Sequence, residues 1–181
     1  EPMMQNKGGS GALADVDGYS TIGILTGGGA YVFEDYEAFE HQNPVFLHRH
    51  EYECDSAGPG RHRGGLGIRF EYETYAEDGQ LVTFGEAETP PYGIGGGQAA
   101  PPSRITVHRD GETIVPLANE VVPVSPGTRI EMVETGGGGA GDPGQRDREL
   151  VRADVRAGLV SREAAIEDYG LTPEQLPGAP K

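Results

Sequence analysis

The sequence predicts a mainly β, β-rich α+β fold: antiparallel strands and hairpins with long Gly-rich loops, followed by a short C-terminal helical hairpin. Three observations predict it. Apolar and polar residues alternate in Pro44 to Glu53 and, with a period of two, in Leu66 to Ala76, the pattern of half-buried antiparallel strands. Turn signals built from Gly, Pro and Asp separate those runs. Helix-compatible apolar spacing, in contrast, sets in only after residue 145.

Residues 1–43 read as an irregular Gly- and acid-rich arm, with Gly8-Gly9-Ser10-Gly11-Ala12, Asp17-Gly18 and Gly27-Gly28-Gly29 as permissive points. Phe33 to Gln42 has room for one or two helical turns. A β domain is expected over 44–135. Its first strand is Pro44 to Glu53. Its second, Leu66 to Ala76, sets Ile68, Phe70, Tyr72 and Thr74 on one face and Arg69, Glu71 and Glu73 on the other. Glu77-Asp78-Gly79 reads as a hairpin turn into a returning strand, Leu81 to Phe84. A second hairpin runs from Arg104 to Pro116 about Asp110-Gly111. The last strands are Val121 to Val124 and Arg129 to Glu134, joined by Ser125-Pro126-Gly127.

Residues 136–170 form a Gly-rich loop and the helical hairpin. Its first helix, Arg146 to Ala157, presents Leu150, Ala153 and Val155 and is stopped by Gly158. Its second is capped by Ser161, turns Ala165 and Ile166 inward and ends at Gly170. Residues 171–181 are a flexible tail.

The chain has 14 Lys and Arg against 29 Asp and Glu, a net charge of −15. Such a surface repels phosphate backbones and anionic headgroups, so neither nucleic acid nor membrane is an expected partner. No apolar run reaches the ~18 residues of a membrane span. The single Cys54 forbids an intrachain disulfide and suits a cytoplasmic setting. With 30 Gly, 14 Pro and only 35% hydrophobic residues, the chain is expected to lean on a partner to complete its buried surface.

Three glycine stretches stand out: "CDSAGPGRHRGGLG" from Cys54, "PPYGIGGG" from Pro90, and "ETGGGGAGDP" from Glu134. Glycine permits positive φ and close backbone approach. None of the three has the Gly-Lys-Ser/Thr ending of a P-loop, and the order of elements around them is not that of a dinucleotide fold. Tight turns and packing against a partner chain are expected ahead of nucleotide contact.

These stretches carry a resemblance. "DSAGPGRHRGGLG", "TPPYGIGGG" and "ETGGGGAGDPGQRDRELVRADVRAGLVSREAAIEDYG" resemble, in order, the C-terminal part of the hydantoinase B/oxoprolinase family, which includes N-methylhydantoinase B-type subunits and relatives in acetone and acetophenone carboxylases. The resemblance implies a subunit or C-terminal segment of a B-type component in an ATP-dependent cyclic-amide hydrolase complex, inactive alone. The alternatives are a small subunit of an acetone- or acetophenone-type carboxylase and a non-catalytic structural subunit. It further implies an actin-like A-type partner holding ATP with Mg, a longer B-type N-terminal chain, and a divalent metal in a partner chain.

Within the chain, Arg61, His62 and Arg63 together with Tyr92, Gly95 and Gly96 are the candidate substrate or interface loops. An arginine fork suits carboxylate or phosphate, and a structural ion pair is the plainer reading. Even spacing would put His48, His50 and Cys54 on one face of a strand, with His62 in the adjoining loop. Two to three His and a Cys could make a zinc site, although the spacing is not that of a finger and an edge strand with polar side chains explains it more simply. Glu53 and Asp55 beside Cys54 argue against a nucleophilic thiol. No catalytic residue is assigned.

Overall fold

A computed structural model describes residues 8–21, 35–83 and 89–177; the Gly27–Gly29 run, Phe33 and Phe84 lie outside them. Seven strands form two sheets. A five-stranded antiparallel sheet has the order β1-β2-β7-β4-β5, and a two-stranded sheet joins β3 to β6. The strands are β1 Val45–Tyr52, β2 Ile68–Thr74, β3 Gly79–Val82, β4 Arg104–Arg109, β5 Glu112–Ile114, β6 Val121–Val124 and β7 Thr128–Val133. Helix α1, Tyr36–Gln42, precedes them; α2, Arg148–Arg156, and α3, Arg162–Glu167, follow. The mainly β reading with a C-terminal helical hairpin holds.

Period-two alternation gives the large sheet two unlike faces. Tyr72, Ile130 and Val107 lie in register across β2, β7 and β4, as do Phe70, Met132 and Ile105. Val124 and Leu81 of the small sheet pack onto Val107 and Ile130, so the core lies between the sheets. The opposite face is a lattice of charge: Arg69 pairs with Glu53 at 2.7 Å and Glu131 at 3.4 Å, and the buried Glu71 takes Arg49 and Arg129. Burial would raise the Glu71 carboxyl, but the bond and charge of Arg129 outweigh it and hold the carboxyl below its ordinary range.

One expectation about pairing differs. The strand after Glu77-Asp78-Gly79 does not return along β2, because β1 and β7 occupy both of its edges; β3 crosses to β6 instead. Ser125-Pro126-Gly127 likewise carries the chain from one sheet to the other. The β4–β5 hairpin forms as expected, with Asp110 (φ 52°) and Gly111 (φ 80°) at its turn.

The helical hairpin has its own small core of Val151, Val160, Ala165, Tyr169 and Leu171. Asp147 and Ser161 cap the two helices, and Gly158 and Gly170 take positive φ just beyond them. The inward face of α2 is Val151 and Asp154, not the expected Leu150 and Ala153, which are exposed; on α3, Ala165 is buried and Ile166 is not. Leu171 is buried in this core and Pro173–Gln175 form a further 3-10 turn, so the start of the expected tail is structured.

Candidate functional site

The three glycine stretches do not project outward. They stack on one another and on the N-terminal arm as extended chains bonded through their backbones. Gly58 N–H donates to Gly137 O (2.8 Å), Gly137 to Gly65 O (2.9 Å), Gly136 to Ser56 O (3.0 Å), and Ile94 to Gly139 O (2.9 Å). Ser10 O accepts from Gly65 N–H, and Gly138 O from Ala12 N–H.

A Cβ on Gly64 would lie 1.8 Å from Gly137 O, one on Gly137 1.8 Å from Ser10 O, and one on Gly138 1.9 Å from Tyr92 O. These glycines have ordinary φ, so what they supply is the absence of a side chain. Among the glycines of these stretches, positive φ is confined to Gly95, Gly96 and Gly141. Within the chain, the close approach that these glycines permit is to the chain's own backbone. The slab also has few donors to offer a phosphate, since Gly136, Gly137, Gly139, Ala140 and Gly141 all donate to the chain's own carbonyls.

An ionic cluster locks the slab to both ends of the chain. Arg146, whose side chain is 1% exposed, donates to Asp17 at 2.7 and 2.8 Å and to Asp154 at 3.0 Å. Arg63, also buried, donates to Asp154 at 3.2 and 3.3 Å. Two guanidinium groups thus alternate with two carboxylates, which offsets the cost of burying each charge. Burial pushes the Asp17 carboxyl up, but the hydrogen bonds and charge of Arg146, helped by Arg63, bring it below its ordinary value. The sequence pointed to Arg63 pairing with an acid, but gave no sign that Asp17, Arg146 and Asp154 would meet it. The Val151–Asp154 spacing on α2 was the available clue.

Of the candidate loop residues, Arg61, His62 and Gly95 come together. With Ala14, Ile94 and Gln145 they line a surface cavity of about 380 Å³. Backbone bonds from His62 and Arg61 to Ala140 and Gly141 hold its floor. Arg61 is exposed and forms no salt bridge with a described residue, whereas Arg63 is spent on the buried cluster. His62 Nδ1 lies 3.8 Å from Asp17 Oδ1. Gly96 continues the turn from Gly95, and Tyr92, 81% exposed, stands on the same strip of chain.

The expected shared face of His48, His50 and Cys54 does not form. The β1–β2 register shifts between Leu47 and Arg49, leaving His48 as an extra residue. That bulge sends His48 to Glu73 on the charged face (3.3 Å) and His50 to Phe70 on the other. Cys54 follows β1, and its thiol is pushed up to about 11 by burial and by the charges of Asp55 and Glu53. Among the described residues no three His, Cys, Asp or Glu side chains gather as a metal site.

A second cavity, about 300 Å³, separates the slab from the helical hairpin and is lined by Asp55, Gln98, Tyr169 and Asp168 among others. Asp55 (φ 57°) ties the two units, donating its N–H to Leu159 O and accepting from Ser161 N–H at 2.8 Å. Burial, then Asp55 and Glu167, raise the Asp168 carboxyl.

Residues 2–143 match the hydantoinase B/oxoprolinase family model. Over 169 residues the chain is 38% identical to the caprolactamase subunit beta of Pseudomonas jessenii, an alignment spanning 90% of this chain and 29% of that protein. The crystal structure of the ATP-dependent caprolactamase from the same organism superposes with a TM-score of 0.81 at 34% identity, covering 92% of this chain and 30% of that one. A nucleotide-free acetone carboxylase shares the fold, with a TM-score of 0.80 at 22% identity over 92% of this chain and 26% of that one. The chain thus spans less than a third of the length of these relatives.

Proposed function

Since the chain belongs to the hydantoinase B/oxoprolinase family, we propose that it serves as one segment of a B-type component in an ATP-dependent complex that opens cyclic amides. The observation that carries this reading is the 38% identity to a caprolactamase beta subunit across nine-tenths of the chain. The acetone carboxylase likeness rests on shape at 22% identity, so ring opening is preferred to carboxylation.

The slab's role in this reading is to hold Arg61, His62 and the Tyr92–Gly96 strip rigidly at its surface, facing substrate or a neighbouring subunit. A site built on backbone with no side-chain freedom is preorganised, which is what binding and positioning need. Arg61 is the group suited to an anionic partner there, because it is exposed and forms no salt bridge with a described residue.

ATP with Mg is assigned to an actin-like A-type partner, and a divalent metal to the rest of the B-type component. The residues here support that assignment: the N–H groups of Gly136, Gly137, Gly139 and Gly141 are committed to the chain's own carbonyls, and the described residues form no metal cluster. It is accordingly proposed to be inactive alone. A cytoplasmic setting is proposed from its one cysteine, and no described helix is long and apolar enough to cross a membrane.

The test is reconstitution. The A-type subunit and the remaining B-type chain are assayed for ATP-dependent caprolactam opening with and without this chain. Activity should require it, and Arg61→Ala should lower the rate or the assembly. Full activity without the chain would overturn the proposal.

A further inference from the structure

We propose that a separate aromatic cleft, bounded by Thr21, Tyr36, His50, Tyr52 and Ile68, binds a small uncharged ring compound bearing an amide edge, with His50 as its hydrogen-bonding anchor. The cleft has a volume of about 490 Å³, within the range of small-molecule sites. It lies against the edge strand β1 and α1 and shares no lining residue with the Arg61 cavity.

Four features of this cleft converge. First, the β1 bulge exists where it re-aims a side chain: without the register shift at His48, strand parity counted from Leu47 would send His50 to the charged face. Second, His50 is held in place. Its Nδ1 is 2.9 Å from the Tyr36 hydroxyl, and its ring packs edge-on to Tyr36 (5.6 Å) and Phe70 (5.3 Å). That bond occupies one ring nitrogen and leaves Nε2 for a ligand.

Third, burial lowers the His50 pKa, so at neutral pH the ring is uncharged and acts as a hydrogen-bonding group rather than a cation. Fourth, Thr21 sits at φ 55°, a conformation that a β-branched residue resists, while its hydroxyl donates to the Tyr52 hydroxyl at 3.3 Å. Backbone strain of this kind persists where surrounding structure demands it, and here it positions a polar group at the cleft.

The lining states the ligand's chemistry. Exposed Tyr36 and Tyr52 with Ile68 offer aromatic and aliphatic walls that suit a ring. The polar groups are a neutral imidazole and hydroxyls, which match a carbonyl and an N–H. Glu51 is the one charged lining residue described, and the chain carries −15, so an anion is disfavoured. The choice of a cyclic amide rests on the function proposed above; the cleft itself does not.

The probe is ε-caprolactam, titrated against the full chain by saturation-transfer difference NMR. 5-Oxoprolinate, a ring amide with an added carboxylate, is the charge control. Saturable binding of caprolactam, with weaker binding of 5-oxoprolinate, is expected. His50→Phe keeps the ring and removes the bond, and should raise Kd about tenfold. Tyr36→Phe, a change at an exposed side chain that leaves the fold intact, should raise it about threefold by freeing the imidazole. No saturable binding, equal binding of the two probes, or an unchanged Kd in both variants would overturn the proposal. Ring opening by the complex with an unaltered His50→Phe binding curve would sink the cleft and spare the proposed function. His50-dependent binding with no ATP-dependent ring opening would do the reverse.

Discussion

Arg146 and Asp17, 129 positions apart, meet through paired hydrogen bonds of 2.7 and 2.8 Å beneath the glycine slab. The pair joins the N-terminal arm to the start of the helical hairpin, and Asp154 and Arg63 extend it into a buried cluster of alternating charge. The N-terminal arm and the helical hairpin are thus tied to the glycine stretches by ions as well as by backbone hydrogen bonds.

Replacing Arg146 with Met should cost about 3–5 kcal/mol, because Asp17 and Asp154 would be left with one guanidinium between them. Arg146→Lys should rescue little, since an ammonium cannot reproduce the forked pairing. Urea denaturation of both variants measures this; a loss below about 1 kcal/mol would show that solvent screens the cluster.

The same cluster sets an acid limit. The folded Asp17 carboxyl lies below its ordinary 3.8, so its stabilisation is complete above that value and is lost as pH falls through the folded pKa. Asp168 has the opposite sign. Its raised folded pKa means that burial of the charged carboxylate, with repulsion from Asp55 and Glu167, opposes folding at neutral pH and is relieved on acidification. Asp168→Asn should therefore raise the melting temperature at neutral pH by a few degrees. The gain should vanish as pH falls through the folded pKa of Asp168; melting curves across that range check both the gain and its disappearance.

Gly64→Val should prevent folding or assembly, since its Cβ would sit 1.8 Å from Gly137 O, a backbone atom that cannot rotate away. Gly111→Ala, with positive φ but nothing within 4 Å, should cost only about 1 kcal/mol. Comparable losses in the two, by chemical denaturation, would contradict the close-approach account. Glu77→Ala, in an exposed turn, serves as the neutral control.

Cys54 should alkylate slowly despite its exposure. A shift from 9.0 to about 11 cuts the thiolate fraction about a hundredfold. Iodoacetamide labelling at neutral pH reads this directly. Asp55→Asn should speed it, because Asp55 follows burial as the largest cause; labelling as fast as a free thiol would be the contrary result.

The alternation of Ile68, Phe70, Tyr72 and Thr74 with Arg69, Glu71 and Glu73 determined by itself which face of β2 meets the core, because side-chain direction in a strand is local. The caps at Ser161, Gly158 and Gly170 were legible for the same reason. Tertiary structure alone decided strand partners: β3 could not join β2 once β1 and β7 held both its edges. It also decided the bulge that parted His48 from His50, since a one-residue register shift depends on the neighbouring strand. The glycines announced close approach, yet only the folded chain showed that what they approach is one another. The meeting of Asp17 with Arg146 was settled by the same long-range packing, for which no local residue pattern is required.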